Sequence, residues 1–351
     1  MQVGIVGPKS SGKTTVFSAL TGITADMTQQ QAGKPNLGVI KVPDERIEKL
    51  SAIFKPPSTV FADIRFVDIQ EKAESEKAGK GIDSQTVLQI RNVDALVLVV
   101  RAFEDPSVPL PEGGIDPLRD FKAYEDELCI TDFLQVETRL ERIKKENKTG
   151  PERDALEKCM AQLENNMPLR LLTFTPLEMK QITGFQLLTI KPVLVLINVS
   201  EDDKKTYTDI SSEAAKRGGV TMTLSAKLEL EIAQLPPEEQ ANFCKEMGIE
   251  QPARIRFVRE VYAMMSLISF FTVGEDEVRA WTIQKGTMAQ QAAGKIHSDI
   301  EKGFIRATTV HYNDFIKVGS MASARESALL RQEGKTYVVA DGDIIEFKFT
   351  V

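Results

Sequence analysis

Near its N-terminus the chain reads Gly7-Pro8-Lys9-Ser10-Ser11-Gly12-Lys13-Thr14, which fits the pattern G-x-x-x-x-G-K-[S/T] at every fixed position. A short apolar strand is predicted over residues 3–6, immediately before the loop, and a helix over residues 15–20, immediately after it. This order of strand, loop and helix is the setting in which the pattern forms a phosphate-binding loop. The alternative is a chance match in a glycine-containing turn, and the four fixed positions in this setting argue against it.

The loop predicts a binding site for a nucleoside polyphosphate. Its glycines allow backbone N–H groups to point inward at a phosphate, and the N-terminus of the following helix adds a partial positive charge. Lys13 is predicted to reach the β- and γ-phosphates and to be the catalytic residue, while the Thr14 hydroxyl is predicted to bind Mg²⁺. The predicted nucleotide-contacting residues are therefore Gly7, Pro8, Lys9, Ser10, Ser11, Gly12, Lys13, Thr14 and Thr15.

Composition limits the classes of protein that remain. The 351 residues predict about two or three domains. The net charge of −7 argues against binding nucleic acid through bulk charge, so DNA is not an expected partner and an RNA contact needs a local basic patch. The three cysteines lack metal-type spacing and suit a reducing compartment. The first strand leaves no room for a signal peptide, and no apolar run approaches the about 18 residues of a membrane helix, so we expect a cytoplasmic monomer.

Two segments after the loop resemble the switches of a P-loop protein. Residues 22–33 are polar and glutamine-rich, where a first switch is expected, and residues 71–81 are charged and contain glycines, where a second is expected. Between them we predict a helix over Asp44 to Phe54 and a strand over Val60 to Ile69. Asp68, near the end of that strand, is predicted to hold Mg²⁺ through water. Its alternative role is that of a solvated strand end.

An amphipathic pattern interrupts the strands in the middle of the chain. Apolar residues recur at three- and four-residue steps between 121 and 147 and again from Leu156 to Leu163, which predicts an antiparallel helical hairpin. The first of these stripes consists of Ile130, Phe133, Val136, Leu140 and Ile143. Near the turn lies a basic cluster of Arg139, Arg142, Lys144, Lys145 and Lys148, which is either a solvated face or an electrostatic contact for RNA.

The base of the nucleotide is predicted to be read after two further strands. The apolar segment 192–199 leads into Asn198-Val199-Ser200-Glu201, and a short strand at 221–225 leads into Ser225-Ala226-Lys227. In an N-K-x-D reader, the aspartate accepts hydrogen bonds from guanine N1–H and the N2 amino group, which adenine cannot offer. Here Glu201 takes the acid position and the lysine is missing, so strict guanine specificity is not indicated. The predicted base-site residues are Asn198, Val199, Glu201, Ser225 and Ala226.

The C-terminal part predicts a separate α+β module. Strands are predicted at 270–273, 280–283, 304–310, 337–339 and 344–349, with one helix around 289–299. The two histidines, His297 and His311, have no obvious catalytic partner in the sequence and are interpreted as structural or surface residues.

The order of these parts resembles the YchF/Obg-like ATPases of the P-loop GTPase superfamily over the whole chain. The similarity lies in the N-terminal GIVG and its loop, in Phe66-Val67-Asp68-Ile69, in KPVLVLINVSE, and above all in three C-terminal runs: residues 278–283, 290–297 and 301–307. The resemblance implies an α/β fold: a P-loop domain with a mainly parallel sheet at 1–120 and 191–268, an inserted helical hairpin at 121–190, and a β-grasp TGS domain at 269–351. It also implies ATP binding in preference to GTP, Mg²⁺-dependent hydrolysis, and association with the ribosome or ribosomal RNA.

Some positions depart from the family pattern. The second switch of the family reads D-I-A-G-L, whereas the chain has Asp68-Ile69-Gln70-Glu71-Lys72, so Glu71 replaces the glycine that meets the γ-phosphate. The threonine of the first switch falls on or near Ala32, within the segment Gln29 to Asn36. Ser10-Ser11 replaces the usual Asn-Val of the loop, which is a milder change.

These departures leave three functions open. The first is an ATPase or GTPase of weak turnover that acts with the translation machinery. The second is a paralogue that binds nucleotide but hydrolyses little of it and works as a scaffold or regulator. The third is an interaction protein that works mainly through the hairpin and the C-terminal module. The motifs do not separate ATP from GTP.

Overall fold

The structure is a computed structural model that describes residues 1–23, 36–70, 82–249 and 251–350. Its strands are β1 (Gln2–Val6), β2 (Asn36–Lys41), β3 (Ser58–Val60), β4 (Asp63–Asp68), β5 (Ala95–Ala102), β6 (Val193–Val199), β7 (Val220–Leu224), β8 (Leu267–Val273), β9 (Glu277–Gln284), β10 (Phe304–His311), β11 (Arg331–Glu333) and β12 (Asp343–Phe349). Its α-helices are α1 (Lys13–Thr21), α2 (Glu45–Phe54), α3 (Ser84–Arg91), α4 (Pro117–Lys145), α5 (Pro151–Glu164), α6 (Pro176–Ile182), α7 (Thr208–Lys216), α8 (Ala226–Gln234), α9 (Pro237–Glu246), α10 (Ala253–Met264), α11 (Ala289–Ile296), α12 (Ser298–Lys302), α13 (Tyr312–Val318) and α14 (Met321–Glu326). Two 3₁₀ turns lie at Leu169–Leu171 and Thr183–Phe185.

The chain forms two compact units. An N-terminal unit contains residues 1–40 and 65–257, and a C-terminal unit contains residues 41–64 and 258–351. The segment 41–64 therefore belongs with the last part of the chain, although it lies between β2 and the strand that carries Asp68. The predicted limits of three domains stay a prediction.

The N-terminal unit is built on a six-stranded sheet with the order β2-β4-β1-β5-β6-β7. β1 pairs in parallel with β4 and β5, and β6 pairs in parallel with β5 and β7. β6 is buried along its whole length, and β5 along all but its last residue, as their continuous apolar sequences predict for central parallel strands. Because the strands are parallel, the loops after β1, β4, β5, β6 and β7 meet at one edge of the sheet.

The helical insertion packs α4 against α5 around an apolar cluster of its own. The predicted stripe is partly wrong, because Ile130 is 56% exposed and the neighbouring Cys129 is buried in its place. Burial raises the pKa of the Cys129 thiol to about 12, and the pKa of Cys159 equally. Both thiols are therefore protonated and unreactive at neutral pH.

A buried carboxylate fastens this insertion to the chain that leads into β6. Asp132 on α4 accepts hydrogen bonds from the backbone N–H groups of Leu188 and Thr189, both at 2.8 Å, and from the Thr189 hydroxyl at 2.7 Å. Burial raises the pKa of Asp132, while these three donors stabilise its charge. Nearby, Arg170 and Glu125 form a buried ion pair.

The C-terminal unit contains the second six-stranded sheet, with the order β11-β10-β12-β8-β9-β3. β8 and β9 pair antiparallel, β12 runs parallel to β8, and β3 from the early segment adds to β9 at the edge. α11 packs three small residues, Ala289, Ala292 and Ala293, into the core beneath the sheet. Arg46 on α2 binds Asp341 with two hydrogen bonds of 2.8 and 3.2 Å, which ties residues 41–64 to this unit.

Two strand predictions need correction. The segment predicted as a single strand over 60–69 forms two strands, β3 and β4, which belong to different sheets. The break falls at Ala62, whose carbonyl accepts a hydrogen bond from the Val42 N–H at 2.8 Å. Residues 337–339 do not form a strand, because Val338 makes only an isolated bridge to Met288.

In the described part of the chain, none of the helices combines the length and the apolar character that a membrane crossing requires.

Asp132→Ala tests the buried clamp. We expect this variant to lower the free energy of unfolding by about 3 kcal/mol, because two buried N–H groups lose their acceptor and cannot reach water. Chemical denaturation monitored by circular dichroism measures the change. Asp154→Ala, at an exposed position on α5, is the matched control and should stay within about 0.5 kcal/mol of the parent. Equal stability of the two variants would contradict the role given to Asp132.

Candidate nucleotide-binding site

Two glycines of the loop after β1 have no room for a side chain. Gly7 has φ 142°, and a Cβ atom there would lie 2.2 Å from the carbonyl oxygen of Val99. Gly12 has φ 91°, and its Cβ would lie 2.3 Å from Nδ2 of Asn198. The fixed glycines of the pattern are therefore required by close packing against β5 and the end of β6, as well as by backbone conformation.

Lys13 begins α1 and turns its side chain back over the loop. Its Nζ donates hydrogen bonds to the carbonyl oxygens of Gly7 at 2.6 Å and Pro8 at 2.8 Å. The ammonium is thus held within the concave side of the loop, where a phosphate cradled by the backbone N–H groups would lie.

Asp68 lies beside the start of α1, at the C-terminal end of β4. Its Oδ2 atom accepts hydrogen bonds from Thr14 Oγ1 at 3.2 Å, Asn36 Nδ2 at 3.2 Å and Gln70 Nε2 at 3.3 Å. The carboxylate is fully buried, and its Oδ1 atom has no hydrogen-bond partner among the described residues.

This arrangement fits a divalent cation. A buried carboxylate oxygen without a partner is costly, and a hydroxyl next to a carboxylate is the oxygen set with which proteins hold Mg²⁺ beside phosphates. The structure therefore brings the two predicted metal-binding residues together. Sequence reasoning missed Asn36 and Gln70, whose contacts depend on how β2 and the end of β4 are placed.

Asn198 joins the loop after β1 to the loop after β7. Its Nδ2 donates to the Ser11 carbonyl at 3.0 Å, and its Oδ1 accepts from the Ala226 N–H at 3.0 Å. The side chain is buried. Asn198 thus fixes the distance between the phosphate loop and the predicted base site, and both ends of its amide are used in doing so.

A cavity of about 650 Å³ lies beside the segments that follow β1, β6 and β7. That is ample space for a nucleoside. It is lined by the predicted residues Ser10, Gly12, Thr15, Asn198, Val199, Glu201, Ser225 and Ala226, and also by Phe103, Glu104, Asp105, Pro106, Val108, Ser200 and Lys227. Eight of the predicted nucleotide-contacting residues thus line the same cavity. The loop after β5, residues 103–108, forms another part of its lining, which sequence reasoning missed.

A buried arginine holds that missed wall in place. Arg101, near the end of β5, is only 2% exposed. Its guanidinium donates to the carbonyl oxygens of Phe103 at 3.1 Å, Pro109 at 2.9 Å and Val108 at 3.3 Å, and it lies over the Phe103 ring at 4.7 Å from the centroid. Charge-assisted hydrogen bonds to three carbonyls fix the course of residues 103–109.

The acid of the predicted base reader is paired with a lysine. Glu201 Oε1 lies 2.8 Å from Nζ of Lys227, which is the residue after Ala226. The hydrogen bond to Glu201 is the main reason that the pKa of Lys227 is raised, and the negative charges of Glu231 and Asp105 add to it in that order. The Asp105 carboxyl is itself stabilised by Ser107, which lowers its pKa.

The remaining predictions divide into two groups. Ala32, Glu71 and Lys72, where the chain departs from the family switch motifs, lie outside the described residues. The histidines are structural, as predicted: Nδ1 of His297 accepts from the Asp299 N–H at 3.1 Å, and Nδ1 of His311 accepts from the Asn313 N–H at 3.2 Å, so both cap helices.

The chain is similar to known proteins over its full length. Residues 267–350 match the family YchF-GTPase_C, described as a protein of unknown function (DUF933). The chain is 40% identical to the ribosome-binding ATPase YchF of Escherichia coli O157:H7, over 99% of both chains, and 38% identical to that of Bacillus subtilis, over the full length of both. The solved structure of the Schizosaccharomyces pombe YchF GTPase superposes with a TM-score of 0.87 at 34% identity, covering 99% of this chain and 97% of that one.

Arg101→Met tests whether the arginine positions the cavity wall. We expect the affinity for ATP to fall by about tenfold, because residues 103–109 lose the hydrogen bonds that pre-organise them. Titration calorimetry measures the affinity, and thermal unfolding of the same sample measures stability. Arg153→Met on α5 is the matched control, since Arg153 is about half exposed and pairs with Glu157 one helical turn away. An ATP affinity unchanged by Arg101→Met would contradict the positioning role.

Proposed function

The chain belongs to the YchF family, and we propose that it binds ATP together with Mg²⁺ at this site, hydrolyses it slowly, and acts with ribosomes in the cytoplasm. The observation that carries the proposal is that the ends of β1, β6 and β7 converge on one cavity and are joined by the Asn198 amide. Lys13 and the Thr14–Asp68 pair lie next to this junction. Purine-nucleotide binding with phosphate transfer to water is the function that this combination supports best.

In the proposed complex, Thr14 and Asp68 hold Mg²⁺, Asp68 through water. When bound, the ion would neutralise part of the charge on the phosphates. The backbone N–H groups of residues 9–13 cradle the phosphates, and Lys13 exchanges its bonds to the Gly7 and Pro8 carbonyls for bonds to phosphate oxygens. Catalysis in this proposal is mainly positioning and electrostatic stabilisation, with Lys13 as the catalytic residue.

The proposed preference for ATP over GTP has two supports. Relatives from Escherichia coli and Bacillus subtilis are named ATPases, although the related Schizosaccharomyces pombe protein is described as a GTPase. The second support lies in this chain: the acid that would read guanine is Glu201, and its carboxylate already pairs with Lys227.

Ribosome association is proposed from the same bacterial relatives, which are named as ribosome-binding. In this chain, the basic cluster at the end of the helical hairpin offers a surface for RNA phosphates. Arg139 pairs with Glu152 and Lys148 with Glu146, whereas Arg142, Lys144 and Lys145 are exposed. The protein as a whole is negatively charged, with a net charge of −7, and repels a phosphate backbone. A local group of exposed cations therefore provides the attraction for RNA phosphates at this one surface.

The alternative proposal is a nucleotide-binding scaffold with little or no hydrolysis. It is favoured by the sequence departures at Ala32, Glu71 and Lys72, positions that sense the γ-phosphate in the family pattern. The binding residues of the loop are not affected by these departures, so binding and turnover separate in this protein.

Lys13→Ala tests the binding site. We expect a loss of ATP affinity of at least about 100-fold, because two or more charge-assisted hydrogen bonds to phosphate disappear. Calorimetry with ATP, GTP and ADP, each with Mg²⁺, measures the affinities. The matched control is Lys180→Ala, at an exposed position on α6, which should bind as the parent does. Parent-like ATP affinity in Lys13→Ala would rule out this site.

A turnover assay separates the two proposals. For a slow ATPase we expect phosphate release by the parent protein, measured under saturating ATP and Mg²⁺, to exceed the Lys13→Ala background clearly. We expect Asp68→Asn to reduce that release, because the carboxylate that would hold the metal through water loses its charge. Parent release equal to the Lys13→Ala background, with ATP binding intact, would establish the scaffold.

A further inference from the structure

We propose that Lys227 determines which purine the cavity prefers, because it holds the carboxylate of Glu201 in an ion pair and so withdraws it from the edge of guanine. The inference rests on the proposed nucleotide binding and adds a residue that sets its specificity. It begins from the 2.8 Å contact between Lys227 Nζ and Glu201 Oε1, two residues that line the same cavity.

Guanine and adenine make different demands on an acid at this place. Guanine presents two donors side by side, N1–H and the N2 amino group, and a carboxylate reads them by accepting one hydrogen bond on each oxygen. Adenine presents an acceptor at N1 and has no N2 amino group. Binding of guanine therefore needs both oxygens of the acid, whereas binding of adenine needs neither.

The ion pair takes one of those oxygens. Oε1 of Glu201 is engaged by an ammonium, which also offsets the negative charge that makes a carboxylate a strong acceptor. A guanine base has to break or share this pair, and an adenine base does not. Lys227 thus lowers the affinity for guanine nucleotides selectively, which is specificity obtained by weakening the competitor.

The surroundings keep the lysine in this place. Lys227 follows Ala226, whose N–H is fixed by Asn198 Oδ1, so its backbone is tied to the site. Glu201 lies three residues after Asn198 on the other loop. Glu231 and, to a smaller extent, Asp105 of the cavity lining add negative charge that favours the ammonium there. The Lys227 side chain is 73% exposed and that of Glu201 33%, so the pair is open to solvent and screened by salt.

The test is the ratio of two dissociation constants, that for MgGTP divided by that for MgATP, measured by calorimetry. The two ligands share their triphosphate and metal, so the ratio isolates the base. We expect Lys227→Met, which keeps the length and removes the charge, to lower this ratio about fivefold by improving GTP binding. Lys216→Met is the matched control, since Lys216 is 69% exposed and its local partner is Glu213.

Two further arms separate the ion pair from a general effect of charge. In the background of Glu201→Gln, the change Lys227→Met should leave the ratio unaltered, because the acid that it releases is gone. In the parent, raising the salt from about 0.05 M to about 0.5 M should lower the ratio, and in Lys227→Met it should not, since screening acts on the pair.

The outcomes distinguish this inference from the function on which it rests. If neither nucleotide binds the parent, both the proposed function and the inference fail. If both bind and Lys227→Met leaves the ratio within about twofold, the inference alone fails, since a solvent-exposed pair can contribute nothing measurable. A ratio that rises in Lys227→Met also overturns it, because the ammonium would then be binding guanine itself.

Discussion

One side-chain amide, that of Asn198, holds the two halves of the candidate site together. It connects the Ser11 carbonyl to the Ala226 N–H, and its bond to Ser11 spans 187 positions of the sequence. The amide approaches so closely that only glycine is accommodated at position 12. A parallel sheet makes this possible, because it delivers the ends of β1, β6 and β7 to one edge. The spacing between phosphate and base is therefore a property of the core of the sheet and not of the loops.

The metal end of the site depends on a different constraint, the burial of Asp68. Three donors reach a single oxygen of its carboxylate, and the other oxygen has no partner among the described residues. Removing a carboxylate from water is costly unless its charge is compensated. Three neutral donors compensate it in part. A divalent cation coordinated through water would complete the compensation, which makes this end of the site responsive to Mg²⁺ in a way that the base end is not.

The sequence predicted the features of the site that depend on neighbouring residues and missed those that depend on sheet order. The loop at 7–14, the buried strands β5 and β6 and the helix α2 follow from local pattern, and the structure has them. The Lys227–Glu201 pair joins the start of α8 to the loop after β6, and the wall at 103–109 needs Arg101 buried behind it. Neither of these contacts produces a periodic pattern in the amino-acid sequence. The prediction for residues 60–69 is wrong for a related reason: apolar residues recur on both sides of Ala62, so the sequence does not mark where the chain passes from one sheet to the other.

The bonds of Lys13 explain why the loop keeps its shape and limit what the lysine adds to affinity. The ammonium donates to the Gly7 and Pro8 carbonyls, so it ties the loop back on itself beside Gly7, where a side chain has no room. A phosphate has to displace at least these two neutral acceptors. The phosphate displaces them because a hydrogen bond from the ammonium to a charged oxygen is roughly twice as strong as one to a carbonyl oxygen. The net contribution of Lys13 to phosphate affinity is therefore the difference between these two hydrogen-bond strengths. Part of the strength of the site therefore resides in pre-organisation by Lys13, which a neutral residue of the same length would lose together with the charge.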